Sequence, residues 1–169
     1  MPTPLDTPNA MKKPTVYIES SVISVHTARP SKNIQLLARQ QYTHDWWETI
    51  DRYTPYISRA VLDEIKRGDA LAAVERLKLV DSIPLLPSAN VVERIVGQLL
   101  REKAVPFKAK EDAHHIAIAA VHDVDYLLTW NMTHIANPVK RRHIVDVIHQ
   151  FRSSSPIILT PQELLEVFQ

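Results

Sequence analysis

Cysteine is absent from this sequence and glycine nearly so, with only Gly68 and Gly97 among 169 residues. Without cysteine there is no disulfide framework, no thiol catalysis and no thiolate zinc site, and the composition suits a reducing, cytoplasmic setting. With so little glycine, neither Gly-x-Gly-x-x-Gly nor the P-loop pattern occurs, which excludes a glycine-cradled phosphate loop. No Gly-x-Ser-x-Gly elbow supports Ser20 or Ser21 as an acyl-transfer nucleophile, and no His-Glu-x-x-His run supplies a helical zinc site. No stretch nears the ~18 consecutive apolar residues of a membrane span, so no membrane attachment is expected. Residues 1–13, rich in proline, lack the apolar core of a signal peptide and read as a flexible tail. An excess of one charge is lacking as well: 20 basic and 19 acidic residues leave +1, so any nucleic-acid contact has to come from a local patch.

What is present is enough apolar residue for one compact domain, 45% of the chain, expected over residues 14–160 with a last helix over 161–169 packed on it. Thr15 to Ile18 is a short β-branched and aromatic run behind Pro14, and reads as a buried strand. Residues 34–53 carry Leu36, Leu37, Gln40, Trp47 and Ile50 at spacings that predict a long amphipathic helix. "PYIS" predicts a second strand, followed by a helix capped by Ser58 and stopped at Gly68. Helical patterns recur over 70–80, over "NVVERIVGQLLREK", in "KEDAHHIAIAA" and, with Pro138 in the first turn, in "PVKRRHIVDVIHQF". "IPLLP", "YLLT" and "SPIILT" supply further extended pieces, and Thr160 with Glu163 forms a capping-box signature for the final helix. Short strands alternating with helices predict an α/β fold: a three-layer α/β/α sandwich with a central, mostly parallel sheet of four or five strands.

In open sheets of this kind ligands bind off the carboxyl ends of the strands, where Glu19 and Asn131 are expected. Glu64 follows the second strand and Asp112 opens the helix before "YLLTWN", so three carboxylates are expected to converge on one edge. Mg2+ or Mn2+ is commonly held by a few carboxylate oxygens from different elements, with water and substrate phosphate completing the shell. Like charges gathered without a cation would repel, and the cation resolves that repulsion.

The segments "VYIESSVIS", "YISRAVLDEIKRGD", "EDAHHIAIAA" and "YLLTWN" resemble, in order and spacing, the motifs of the PIN-domain family, and most of all its VapC-like toxin ribonucleases. The resemblance spans about residues 14–151. It implies a Mg2+- or Mn2+-dependent endoribonuclease in which Glu19, Glu64 and Asp112 hold the metal, with Asn131 as a further catalytic residue. Ser21 and Thr129 would orient a carboxylate or the scissile phosphate, and His134 would donate to phosphate or shuttle a proton. Two positions depart from the family pattern: Glu19 stands where Asp is usual, and the fourth motif offers Asn131 and His134 instead of acids. One well-held ion is therefore expected. The family also implies a homodimer and a cognate antitoxin protein. An alternative compatible with the same departures is a PIN-like RNA-binding or regulatory module without catalysis.

RNA would be met first through phosphate. Arg101, Lys103, Lys108 and Lys110 precede the third motif, and Lys140, Arg141 and Arg142 follow the fourth. Trp130 reads equally as a base-stacking ring or as packing on a helix. His114 and His115 share a helix with Asp112 and are read as packing against the crevice wall rather than as zinc ligands.

Overall fold

A computed structural model describes residues 12–167. Its five strands, β1 (Thr15–Ile18), β2 (Thr54–Ser58), β3 (Leu85–Leu86), β4 (Tyr126–Leu128) and β5 (Ile157–Leu159), form one sheet in the order β3-β2-β1-β4-β5. Every neighbouring pair is parallel, as the alternation of strands and helices predicts. The chain steps outward from β1 to β3, then returns to lay β4 on the other flank of β1. That reversal makes the gap between the carboxyl ends of β1 and β4 the switch point of the sheet, where a parallel α/β fold opens a crevice.

Eight helices surround the sheet: α1 (Ser20–Thr27), α2 (Ile34–Trp47), α3 (Arg59–Ile65), α4 (Ala70–Val80), α5 (Asn90–Arg101), α6 (Lys110–Val121), α7 (Pro138–Ile148) and α8 (Pro161–Val167). One group joins α5 to α6 and α7; another joins α1 to α2 and α4, and α2 to α8. Val16, Tyr17 and Ile18 of β1 have no exposed surface at all, which is the burial that a central strand covered on both faces requires. Ala113, Ala117, Ala119 and Ala120 are fully buried on α6, and such small side chains bring that helix close to its neighbours. Among the described residues no helix is long and apolar enough to cross a membrane.

Local chemistry explains most of the boundaries. Ser58 caps α3 by accepting from Val61 N, and Gly68 closes the segment with φ of +86°, a backbone state that costs glycine nothing. Asn33, Asp69 and Asn137 cap α2, α4 and α7 through their side chains. The capping box is reciprocal: Thr160 N donates to Glu163 at 2.8 Å and Glu163 N donates to Thr160 Oγ1 at 3.2 Å.

Two expectations change. The helix predicted over 34–53 stops at Trp47, because Thr49 turns back and donates both its backbone N–H and its hydroxyl to Trp46 O; Ile50–Arg52 is a separate 3-10 turn. Its core face is Gln40, Thr43 and Trp46, while Leu36 and Leu37 remain about half exposed. A helix, α1, begins directly after Glu19, where the sequence pattern carries no helical signature. Most of the expected tail over 1–13 and the last two residues of the expected final helix lie outside the described residues.

Candidate metal centre

Glu19 is the first residue past β1, tied to β4 by its backbone N–H, which donates to Leu128 O at 3.0 Å. It stands at the N-cap position of α1, yet its side chain accepts from none of that helix's N–H groups. The carboxylate instead turns inward, 3% exposed. Oε1 accepts from Ser20 Oγ at 2.6 Å, and Oε2 accepts from Thr129 Oγ1 at 2.7 Å and from Ser21 Oγ. Thr129 and Ser21 are themselves fixed from β4's end, accepting from Asn131 N at 2.9 Å and Trp130 N at 2.8 Å respectively. Strand ends β1 and β4 are thus laced together through one carboxylate.

Glu64 reaches the same place from α3. Its Oε2 meets Ser20 Oγ, and its Oε1 meets His115 Nε2 at 2.8 Å. Glu19, Glu64 and His115 each present a ligand atom within 4.8 Å of the others, and they are the one such group of three acidic, histidine or cysteine residues among the described residues. His115 is fully buried on α6 and pinned at both nitrogens, since Nδ1 lies 2.7 Å from Tyr17 Oη. Tyr17 Oη in turn meets Ser58 Oγ at 2.7 Å, so the residue that caps α3 also anchors the imidazole beside Glu64.

The electrostatics follow from burial and pairing. Burial alone would depress the His115 pKa, but the bond to Glu64 and the charges of Glu19, Glu64 and Asp112 outweigh it and raise the value. Burial pushes Glu64 upward, and the bond and charge of His115, helped by Ser20 and Arg67, overcome that and hold it below the ordinary carboxylate range. Burial, reinforced by the charges of Glu19 and Glu64, keeps the Tyr17 phenol far above its usual range despite the Ser58 bond, so Tyr17 remains neutral.

The donor set fits a divalent cation. Ser20 has one hydroxyl proton, yet an oxygen of Glu19 and an oxygen of Glu64 both lie within bonding distance of it, so one carboxylate oxygen there has no proton to accept. Two carboxylates and an imidazole, drawn from a strand end and two helices, are the ligand types that Mn2+-class ions take. A cation would replace the Nε2 proton of His115 and relieve the crowding of oxygens around Ser20.

The other expected residues divide. Ser21 and Thr129 join the centre as ligand-orienting hydroxyls. Asp112 does not belong to the group of three; its Oδ2 pairs with His134 Nδ1 at 2.8 Å. Asn131 shapes the loop after β4, accepting from His134 N through Oδ1 at 3.0 Å. Arg141 is bonded to Glu163 through both guanidinium nitrogens, at 3.1 and 3.0 Å, which ties α7 to α8. Lys140 reaches Thr133 O, Arg101 reaches Gln98, and Lys108 and Arg142 are exposed. Trp130 is packed on α2: its Nε1 donates to Thr43 Oγ1 at 2.8 Å and the Arg39 guanidinium lies 5.4 Å from its ring centre. His114 bonds Glu93 at the surface. The residue the sequence reading undervalued is His115; a histidine among Ala113, Ile116 and Ala117 on the apolar side of a helix, one turn from an expected site acid, was the available signal.

No family model, curated protein or solved structure matches this chain.

Proposed function

We propose that the chain is a divalent-cation-dependent endoribonuclease of the PIN type, using Mg2+ or Mn2+, and the toxin of a toxin–antitoxin pair. The observation that carries this reading is the meeting of Glu19 and Glu64, 45 positions apart, beside His115 at the sheet's switch point. Glu19 and Glu64 would hold the cation with His115. When bound, the cation supplies charge neutralisation at a phosphodiester and a more acidic water. The chain's own residues do the rest. Ser21 and Thr129 hold Glu19 in one orientation; Tyr17 and Ser58 hold His115; Ser20 keeps the two carboxylates together. Exposed Lys108 and Arg142 are available to phosphates of a single strand.

A competing observation favours a catalytically inert PIN-like RNA-binding module: each oxygen of Glu19 and Glu64 already has a neighbouring donor, and Asp112 is engaged by His134. Incubation of an oligoribonucleotide with the protein and Mg2+ or Mn2+ separates the two. Chelator-sensitive cleavage is expected, and Glu19→Gln and Glu64→Gln should each abolish it. Cleavage that survives both substitutions, or binding of RNA with no turnover under either cation, defeats the nuclease reading.

A further inference from the structure

We infer that Asp112 and His134 form a proton-donating dyad that protonates the leaving oxygen of the scissile phosphodiester. The inference rests on the ribonuclease reading above and adds to it a residue pair with chemistry distinct from metal binding.

The geometry has three parts. A carboxylate can only accept, so the 2.8 Å contact between Asp112 Oδ2 and His134 Nδ1 places a hydrogen on Nδ1 and leaves Nε2 as the position that exchanges its proton. Nε2 has no hydrogen-bond partner among the described residues, and it is absent from the buried, unpartnered side-chain atoms, so it is open to a ligand. Both side chains are 19% exposed, more enclosed than an ordinary surface ion pair. A histidine with one nitrogen held by a carboxylate and the other open is oriented for proton transfer.

The second part is location, established along two separate routes. From the strand side, Glu19 accepts from Thr129 Oγ1, which accepts from Asn131 N, and Asn131 Oδ1 accepts from His134 N. From the helix side, Asp112 precedes His115 by three positions on α6, so the two share a face about one turn, ~5.4 Å of axial rise, apart. The charge of Asp112 is felt at His115 accordingly. The dyad therefore flanks the group of Glu19, Glu64 and His115.

The third part is what the reaction lacks without it. Water adds to phosphorus, the bond from phosphorus to the leaving oxygen breaks, and that oxygen keeps the electron pair. A ribose oxygen leaves poorly as an alkoxide. His134 Nε2 gives it a proton, producing the alcohol; the imidazole then regains a proton from solvent, to which the attacking water has released one. Neither Glu19 nor Glu64 can do this while holding a cation. Asp112 acts through His134 as a positioning residue, fixing its tautomer and ring direction.

The structural alternative is that the pair merely staples α6 to the loop after β4. Rates measured in Mn2+ on an oligoribonucleotide and on bis(p-nitrophenyl) phosphate, whose leaving group departs without protonation, distinguish the two. His134→Gln should lower the ratio of the RNA rate to the activated-diester rate by about 10²-fold or more, the range of a general acid. Asp112→Asn should lower the same ratio by a smaller factor. Calorimetric Mn2+ affinity should stay unchanged in both variants. Equal losses on the two substrates, an unchanged ratio, or loss of Mn2+ binding in Asp112→Asn would overturn the dyad. Failure of the unaltered protein to turn over either substrate would remove the ribonuclease reading and the dyad with it.

Discussion

Tyr17→Phe isolates the anchoring of His115, because it deletes one oxygen from the core and leaves the ring packing intact. Tyr17 and His115 have no exposed surface, and neither does Ser58. The hydroxyl lies 2.7 Å from both Ser58 Oγ and His115 Nδ1, and water has no surface through which to replace it. Ser58 keeps only a long contact of 3.5 Å from Val61 N, and His115 Nδ1 loses its partner altogether. A neutral hydrogen bond is worth ~1 kcal/mol net and one to a charged group ~1.5–3 kcal/mol. His115 is biased toward its protonated form, so its bond belongs in the second class. The sum is about 3 kcal/mol, from which the avoided desolvation of the phenol removes part, leaving about 2 kcal/mol.

Urea unfolding followed by tryptophan fluorescence should therefore show a lower midpoint at constant slope, with a fall in melting temperature of about 4–8 °C for a chain of this length. A cycle with Ser58→Ala should return a coupling of ~1 kcal/mol, because the two hydroxyls contact each other directly. Mn2+ affinity should drop as well, since the imidazole would no longer be held toward Glu64. A loss below about 0.5 kcal/mol would refute the reasoning, because it would mean that the hydroxyl was not the partner of a buried nitrogen.

Other parts of the structure make independent predictions. His26 is half-buried against Trp47 and His44, with its pKa lowered to about 4 by burial first and His44 second. The unfolded chain takes up that proton first, so this contribution is intact above about pH 6.5 and is lost as pH falls toward 4; after discounting for solvent it is ~1–2 kcal/mol. His26→Gln should shrink the difference between urea midpoints at pH 7.5 and 4.5 by that amount. Gly68→Ala meets nothing within 4 Å but inherits φ of +86°, so a loss of ~1 kcal/mol from backbone strain alone is expected in the same assay. Glu163→Gln removes both the Arg141 ion pair and the charge of the capping box, and should cost ~1–2 kcal/mol, with amide exchange in α8 accelerating more than in β1.

What the sequence made legible is what short-range chemistry decides. Ser58, Gly68 and the Thr160–Glu163 box mark helix ends because their partners lie within a few residues, and the apolar stripe of α5 buries Val92, Ile95, Val96 and Leu99 as its spacing requires. Glu19 and Glu64 were legible for a different reason: each lies just beyond a parallel strand, and parallel strands place all such positions on one edge. α1 was not, because Val22, Ile23, Val25 and Thr27 are β-branched and no side chain caps its start; burial of Val22 and Ile23 against the core overrides local preference. The partners of charged groups were the least legible. Arg141 reads as one of three adjacent cations until α8 brings Glu163 against it from 22 residues away. Asp112 and His115 sit on one face of α6, and sequence spacing cannot say which of them meets Glu64. The structure gives that contact to His115, one turn deeper along α6, and turns Asp112 toward the loop after β4. Whether a carboxylate binds a metal or aims a histidine is decided by what sits opposite it. In this fold that depends on one turn of helix, a distance that motif order leaves open.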